Sequence, residues 1–238
     1  MPFFPTEIAR ALAGNAELID MHLRSQLDAN FISNERDYCS SFAVLFRTLC
    51  AGLRIPNLDV SVVINNGSIE TATGSDLRFV FCLDRKMYKV LLAEAKLFKP
   101  SAPNAWDRRV KNPPGPKVSH FDRQLSKQLA FPLFSFIEIF FVDSALGAAP
   151  LGLLPYGSSC FRLDDVVASR LGIVPALPGL PAWNGAELAA MSASKPKYSI
   201  GEAMYLTSIC EWGEPTDYIG EELDYKVSIF IKFSRNEL

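Results

Sequence analysis

Apolar residues at 8, 9, 12, 16, 19 and 23 recur at helical spacing, with polar residues between them, so residues 6–30 predict an amphipathic helix. Thr6 is its candidate N-cap, directly after Pro5. A second helix is predicted from Ser33 or Asn34 to Leu53, with Phe42, Leu45, Phe46, Leu49 and Leu53 as its apolar stripe. Glu35 falls in its first turn, where the helix dipole favours a carboxylate. The period then shortens. Residues 58–64, LDVSVVI, are β-branched and apolar, and Asn65-Asn66-Gly67 is a turn signal. A short strand is predicted at 69–73 and an apolar strand from Leu77 to Leu83. Asp84-Arg85-Lys86 then reads as a hairpin turn, with a returning strand at 87–97. Residues 57–97 thus predict a β-meander.

Residues 98–118 read as a loop, with Pro at 100, 103, 113, 114 and 116. A helix follows at 119–130 with Ser119 as candidate N-cap, then a strongly apolar strand at 133–142. The most apolar stretch, Leu129 to Tyr156, is interrupted by Pro132, Glu138, Asp143 and Pro150. It reads as a buried strand and a loop, not as a membrane span. Beyond Asp143 the chain is rich in Gly, Pro and Ala. Short helices are expected at 164–171 and 185–191, and a last strand at 224–233. The expected organisation is an N-terminal unit, 1–143, holding the helices and core, and a C-terminal extension, 144–238, packed on it and ending in a strand.

At 238 residues, 49% hydrophobic and 21% charged, the chain has the size of one large domain or two small ones. Its apolar fraction excludes a disordered chain, and its mixed charge excludes an acidic or basic tail protein. Five widely spaced Cys, with no CxxC, argue against a disulfide framework or a zinc ribbon. The N-terminus lacks a basic segment followed by an apolar core, so a cytoplasmic setting is expected. There are two His, 22 and 120, so a three-His zinc site is impossible. HExxH, GxSxG, GxxxxGK and GxGxxG are absent. Chemistry therefore falls to carboxylates, Lys, Arg and Gln.

One constellation stands out. Gly74-Ser75-Asp76 opens one predicted strand, and Glu94-Ala95-Lys96 closes the next, seventeen residues later. Antiparallel pairing brings those ends together, and period-two alternation puts Glu94 and Lys96 on one face. Two carboxylates make a hard oxygen site suited to Mg²⁺ or Mn²⁺. The ammonium beside them is placed to position a hydroxide or offset charge on a phosphoryl centre. A phosphodiester is the natural substrate of such a site.

GSD on one strand and EAK on the next, after a helix bearing a Glu, resembles the PD-(D/E)XK nuclease superfamily over roughly residues 33–142. The resemblance implies a restriction-endonuclease-like α/β fold, an α-β-β-β-α-β core with a mixed sheet flanked by helices, here with a Gly/Pro-rich C-terminal extension. It implies Asp76, Glu94, Glu35 and the Ala95 carbonyl as metal ligands and Lys96 as the catalytic lysine. It further implies Mg²⁺, with Mn²⁺ as a substitute, and DNA as substrate. Gln124 and Gln128, four apart on the helix after the EAK strand, match a Gln that several members turn toward the site. Ser75 precedes Asp76 where the motif's name has Pro. By analogy the setting is prokaryotic antiviral defence or a mobile element, with a partner ATPase or helicase subunit and homo-oligomers among the expected assemblies.

Each residue also has a plainer role open to it. Asp76 fits a turn, Glu35 a first-turn carboxylate, and Glu94 and Lys96 a solvated face with cross-strand pairs. The flanking VLLA favours a buried strand, in which Glu and Lys need partners or a metal. Gln124, Gln128 and Arg123 fit an exposed helix face, His120 a helix start, and Asp164-Asp165 a helix N-terminus. Trp106, Trp183 and Trp212 are too scattered for a stacking platform. Eleven of the 24 Lys and Arg lie between 85 and 127, and Arg108, Arg109, Lys111 and Arg123 are candidate phosphate contacts. Two other readings stand beside the nuclease: a catalytically silent nucleic-acid-binding or assembly module on the same fold, and an interaction protein of another α/β fold. The latter expects Glu94 and Lys96 exposed and away from Asp76.

Overall fold

The computed structural model describes residues 3–53, 58–65, 67–83, 87–107, 109–111, 117–132, 134–171, 181–212 and 215. Helix α1 (Thr6–Asp28) starts directly after Pro5, which precedes it with no side-chain cap bond, so Thr6 is the first helical residue and not the cap. Helix α2 (Glu35–Gly52) is capped by Asn34, whose side chain accepts from the Asp37 amide. Its buried stripe is Tyr38, Cys39, Phe42, Ala43, Phe46 and Cys50. That face is rotated from the predicted one. Tyr and Cys bury where aliphatic residues were expected, and Leu49 is left exposed.

Five strands form the main sheet in the order β1 (Leu58–Ile64), β2 (Leu77–Leu83), β3 (Met87–Phe98), β6 (Ser135–Val142) and β7 (Ser159–Arg162). The β1–β2, β2–β3 and β6–β7 pairs are antiparallel, whereas β3 and β6 run parallel. The chain is therefore α/β with a mixed sheet flanked by helices. Parallel pairing needs a crossover. Helix α4 (His120–Gln128) lies in it, capped by Ser119, which accepts from the Asp122 amide.

Alternation along the strands divides the core between two faces. One face joins Phe79, Phe81, Ala93, Ala95, Ile139 and Phe141 to the buried stripes of α1 and α2. The other joins Val80, Leu92, Phe98, Phe136 and Phe140 to Phe121 and Leu125 of α4. Strand β6 is buried on both faces, which explains its unbroken apolar run.

The meander expected at 57–97 is interrupted. Residues Gly67–Thr73 form helix α3 and not a strand. The predicted loop 98–118 contains a small hairpin, β4 (Arg109–Lys111) with β5 (Lys117–Ser119). Beyond Asp143 the chain returns to the main sheet as β7, continues into α5 (Leu163–Leu171) and later forms α6 (Gly185–Ser194) and α7 (Ile200–Ser208). Asp164 and Asp165 occupy the first turn of α5, in keeping with its dipole. Helix α7 packs on α1. A Cβ on Gly201 would come within 2.8 Å of the Ala13 carbonyl, so glycine permits that approach. The turn at 84–86 and the strand expected at 224–233 lie outside the described residues. Among the described residues no helix is long and apolar enough to cross a membrane.

Candidate active site

Strand β2 starts at Leu77, which pairs with Ala93, whereas β3 runs on to Phe98. Beyond Ala93 the β3 edge has no strand on the β2 side among the described residues. The amides of Ala95 and Leu97 leave the strand toward that side. Two carboxylates take them: Asp76 Oδ2 accepts from the Ala95 amide at 2.9 Å, and Glu35 Oε1 accepts from the Leu97 amide at 3.0 Å. The sequence-predicted neighbours of the EAK motif are thus assembled at one point, one from the start of β2 and one from the first turn of α2.

The loop carrying Asp76 is tightly fixed. The Asp76 amide donates to the Ala93 carbonyl, and the Asp76 carbonyl accepts from the Asn65 amide, both at 2.8 Å. Asn65 Nδ2 donates to the carbonyl and hydroxyl of Ser75, each at 2.9 Å. Gly74 has φ +66°, and a Cβ there would lie 2.8 Å from the Gln124 carbonyl. Glycine is needed both for the left-handed conformation and for the contact with α4.

Glu94 and Lys96 point to the α4 face and are 1% and 5% exposed. Lys96 Nζ and Gln124 Nε2 both donate to Glu94 Oε1. Lys96 also lies 5.7 Å over the Phe121 ring. On the adjacent strand, Glu138 is the register partner of Glu94 and is fully buried. Gln128 lies against it and donates to the Gly74 carbonyl at 2.8 Å. Among the described residues, Glu94 Oε2, Gln124 Oε1, Gln128 Oε1 and both Glu138 carboxylate oxygens have no hydrogen-bond partner.

Burial opposes the charge on Lys96. Glu94, then Glu35 and Asp76, overcome that and hold its ammonium above the ordinary range. Burial drives the Glu94 carboxyl upward against the pull of Lys96, and Asp76 and Glu138 push it the same way. Burial also moves Glu138 up to about 8, although Lys96 and Gln128 draw it down. Cys39, one turn along α2 from Glu35, is a buried thiol raised by desolvation and then by Asp76, Glu94 and Glu35. It is an inert core thiol and not a nucleophile.

The structure brings together Asp76, Glu94, Ala95, Lys96, Glu35 and Gln124, with Gln128 one turn further along α4. The exposed-face expectation for Gln124 and Gln128 does not hold, since they are 5% and 1% exposed. Arg123, on the same helix, is half-buried, and His120 starts α4. Arg108 lies outside the described residues, and of Arg109 and Lys111 only the backbone in β4 is described. Trp106 and Trp183 are not scattered; their rings lie 5.9 Å apart in the core. Glu138 is the residue that sequence reasoning passed over. Its signal was a lone carboxylate inside SFIEIFFV.

Among the described residues, no group of three or more His, Cys, Asp or Glu side chains is arranged to hold a metal ion. The donor chemistry nonetheless suits a hard cation. Glu94 Oε2 is a buried carboxylate oxygen with no donor. The Ala95 carbonyl leaves β3 on the same side as its amide, toward Asp76. The chain matches no protein-family model and no curated protein.

Proposed function

We propose that this chain is a metal-dependent nuclease that hydrolyses DNA phosphodiester bonds on a restriction-endonuclease-like core. The observation that carries the reading is the convergence of Asp76, Glu35, Glu94 and Lys96 where β3 outruns β2. The element order α2-β1-β2-β3-α4-β6, with β3 and β6 parallel, supports the fold. Asp76, Glu94 and the Ala95 carbonyl are the ligands for Mg²⁺, with Glu35 assisting. A divalent ion supplies an acidified water and offsets charge on a phosphoryl oxygen.

The residues of the chain do the rest. Lys96 stays protonated throughout the neutral range, so it stabilises charge developing on phosphorus and does not take the proton from water. Gln124 holds Glu94 from the helix side. Substrate enters along the Asp76 and Glu35 edge, where both side chains are partly exposed. A cavity of about 280 Å³ lined by Glu35, Leu97, Lys99 and Trp106 adjoins that edge. Arg108, Arg109 and Lys111 follow in the chain and supply backbone-phosphate contacts.

A second reading has a specific observation behind it. Glu94 and Lys96 are buried and bonded to each other, an arrangement that also suits a silent nucleic-acid-binding or assembly module. The deciding experiment is cleavage of supercoiled plasmid, linear duplex and single-stranded DNA with Mg²⁺, Mn²⁺ or EDTA. Wild type, Lys96→Ala and Asp76→Ala are compared. Metal-dependent cutting lost in both variants is expected. Cutting that survives in both sinks this site, and no cutting by wild type leaves the silent module ahead.

A further inference from the structure

Glu138 is an anomalous group in the core. It is fully buried at a position with flanking Ile137 and Ile139, and neither of its oxygens meets a donor among the described residues. A buried carboxyl without donors is costly both when ionised and when held protonated far above its ordinary range. Its surroundings compound the anomaly. Glu94 is its register partner on β3, Gln124 touches Glu94, and Gln128 lies against Glu138. Gln124 and Gln128 share a helix face by their spacing, so the four side chains close a ring between α4 and the sheet.

Each member of that ring has an acceptor to spare. Glu94 Oε2, Gln124 Oε1, Gln128 Oε1 and both Glu138 oxygens are buried and unpartnered. The amide nitrogens of the two Gln each have one bond in place, to Glu94 and to the Gly74 carbonyl. Their oxygens are buried and open to a ligand inside the ring. Lys96 is bonded to this set and serves Glu94 Oε1. Burial raises both carboxyls, and a cation in the ring would draw both into the ionised form. Oxygen-only donors of this kind suit hard divalent cations.

We propose that Glu138, Glu94 Oε2, Gln124 and Gln128 form a second divalent-cation site between α4 and the sheet, distinct from the Asp76–Ala95 edge and sharing Glu94 with it. This rests on the metal-dependent reading of that edge. In it, Glu138 offsets the loss of Glu94 to the first ion and gives Lys96 a second counter-charge, so the pair of ions and the lysine stay together.

The test is Mn²⁺ binding to the full chain, read by electron paramagnetic resonance and calorimetry without any nucleic acid. Wild type, Asp76→Ala and the near-isosteric Glu138→Gln are compared, with circular dichroism as a folding control. Two Mn²⁺ per chain in wild type, with one lost in Glu138→Gln and the other in Asp76→Ala, is the expected result. Wild-type spectra are also expected to show a spin-coupled pair, a readout that needs no variant. An unchanged two-ion stoichiometry in Glu138→Gln overturns the second site. So does a single uncoupled ion in wild type that Asp76→Ala loses and Glu138→Gln keeps, and in that case the edge site stands. No Mn²⁺ bound by wild type overturns both sites.

Discussion

Asp122 and Glu138 are both fully buried on the α4 side of the sheet, yet they are treated in opposite ways. Asp122 Oδ2 accepts from Arg170 Nε at 3.1 Å and Nη2 at 2.9 Å, and its Oδ1 accepts from Trp183 Nε1 at 2.7 Å. Arg170 is held in turn by Glu187 and the Pro181 carbonyl, at 2.7 Å and 2.6 Å. Nearby, Asp107 accepts from Ser119 Oγ, the Phe121 amide and the Trp183 amide. Glu138 has Gln128 lying against it, and neither of its oxygens has a well-formed hydrogen bond among the described residues. A fold that satisfies one buried carboxylate so fully can satisfy another, so the bare one marks a place kept for something else. Buried polar groups in native cores are overwhelmingly paired, and exceptions ask for a cause. Closed networks hold the structure together, and the open one is the candidate for chemistry.

The largest effect should come from breaking the closed network. Arg170→Ala strips Asp122 and Glu187 of their common partner and leaves a buried carboxylate bare. A loss of about 3–5 kcal/mol in urea unfolding is expected. A loss under about 1 kcal/mol would mean that Asp122 finds water instead, and the contrast with Glu138 would weaken.

Asp20, on the α1 face of the sheet, tests the same idea through pH. It accepts from Tyr38 Oη, from the Ser158 amide and from Ser158 Oγ. Burial nonetheless raises it from 3.8 to about 6, against the pull of the Ser158 bonds and Arg24, and with a push from Glu17. The folded state therefore holds this proton more tightly than the unfolded state. Its contribution to stability is full below pH 3.8, falls as pH rises to about 6, and is constant above that. The gap corresponds to about 3 kcal/mol. Asp20→Asn should flatten that segment of the stability–pH curve, measured by chemical unfolding between pH 4 and 7. A curve of unchanged slope would assign the titration to another group.

Much of the site was legible because it depends on period and spacing. Alternation fixed Glu94 and Lys96 on one face, and hairpin pairing brought Asp76 to them. Three features escaped for physical reasons. Residues 67–73 carry Ile69, Thr71 and Thr73, which read as an alternating strand, yet they close a helical turn between two paired strands. Helix α7 was missed although Ser199 and Glu202 form a full capping box, the local signal that marks its start. Glu138 looked like an interruption because burial of a strand on both faces is a property of the assembled sheet. Gln124 and Gln128 read as surface residues for the same reason, since the packing of α4 on the sheet and on Gly74 encloses them.

The smallest expected effect has the opposite sign and so is the sharpest. Glu138→Gln keeps the shape of the side chain, removes a carboxyl that burial holds protonated up to about pH 8 at a cost to folding, and adds two donors. Gln128 Oε1 and Glu94 Oε2, which lack partners among the described residues, are the acceptors such donors could serve. Without divalent metal the variant should therefore be more stable than wild type, by about 1–2 kcal/mol. The comparison is urea unfolding in EDTA. With saturating Mn²⁺ the order should reverse, because wild type gains binding energy that the variant has lost. A variant less stable than wild type in EDTA would show that Glu138 is satisfied in solution, by water or by a neighbour, and that the open network is closed after all. A gain in EDTA that Mn²⁺ leaves untouched would keep the strain but detach it from metal binding. Only a gain that Mn²⁺ reverses ties the unsatisfied oxygens to the ion, because the same carboxylate then costs stability without the cation and supplies it with the cation.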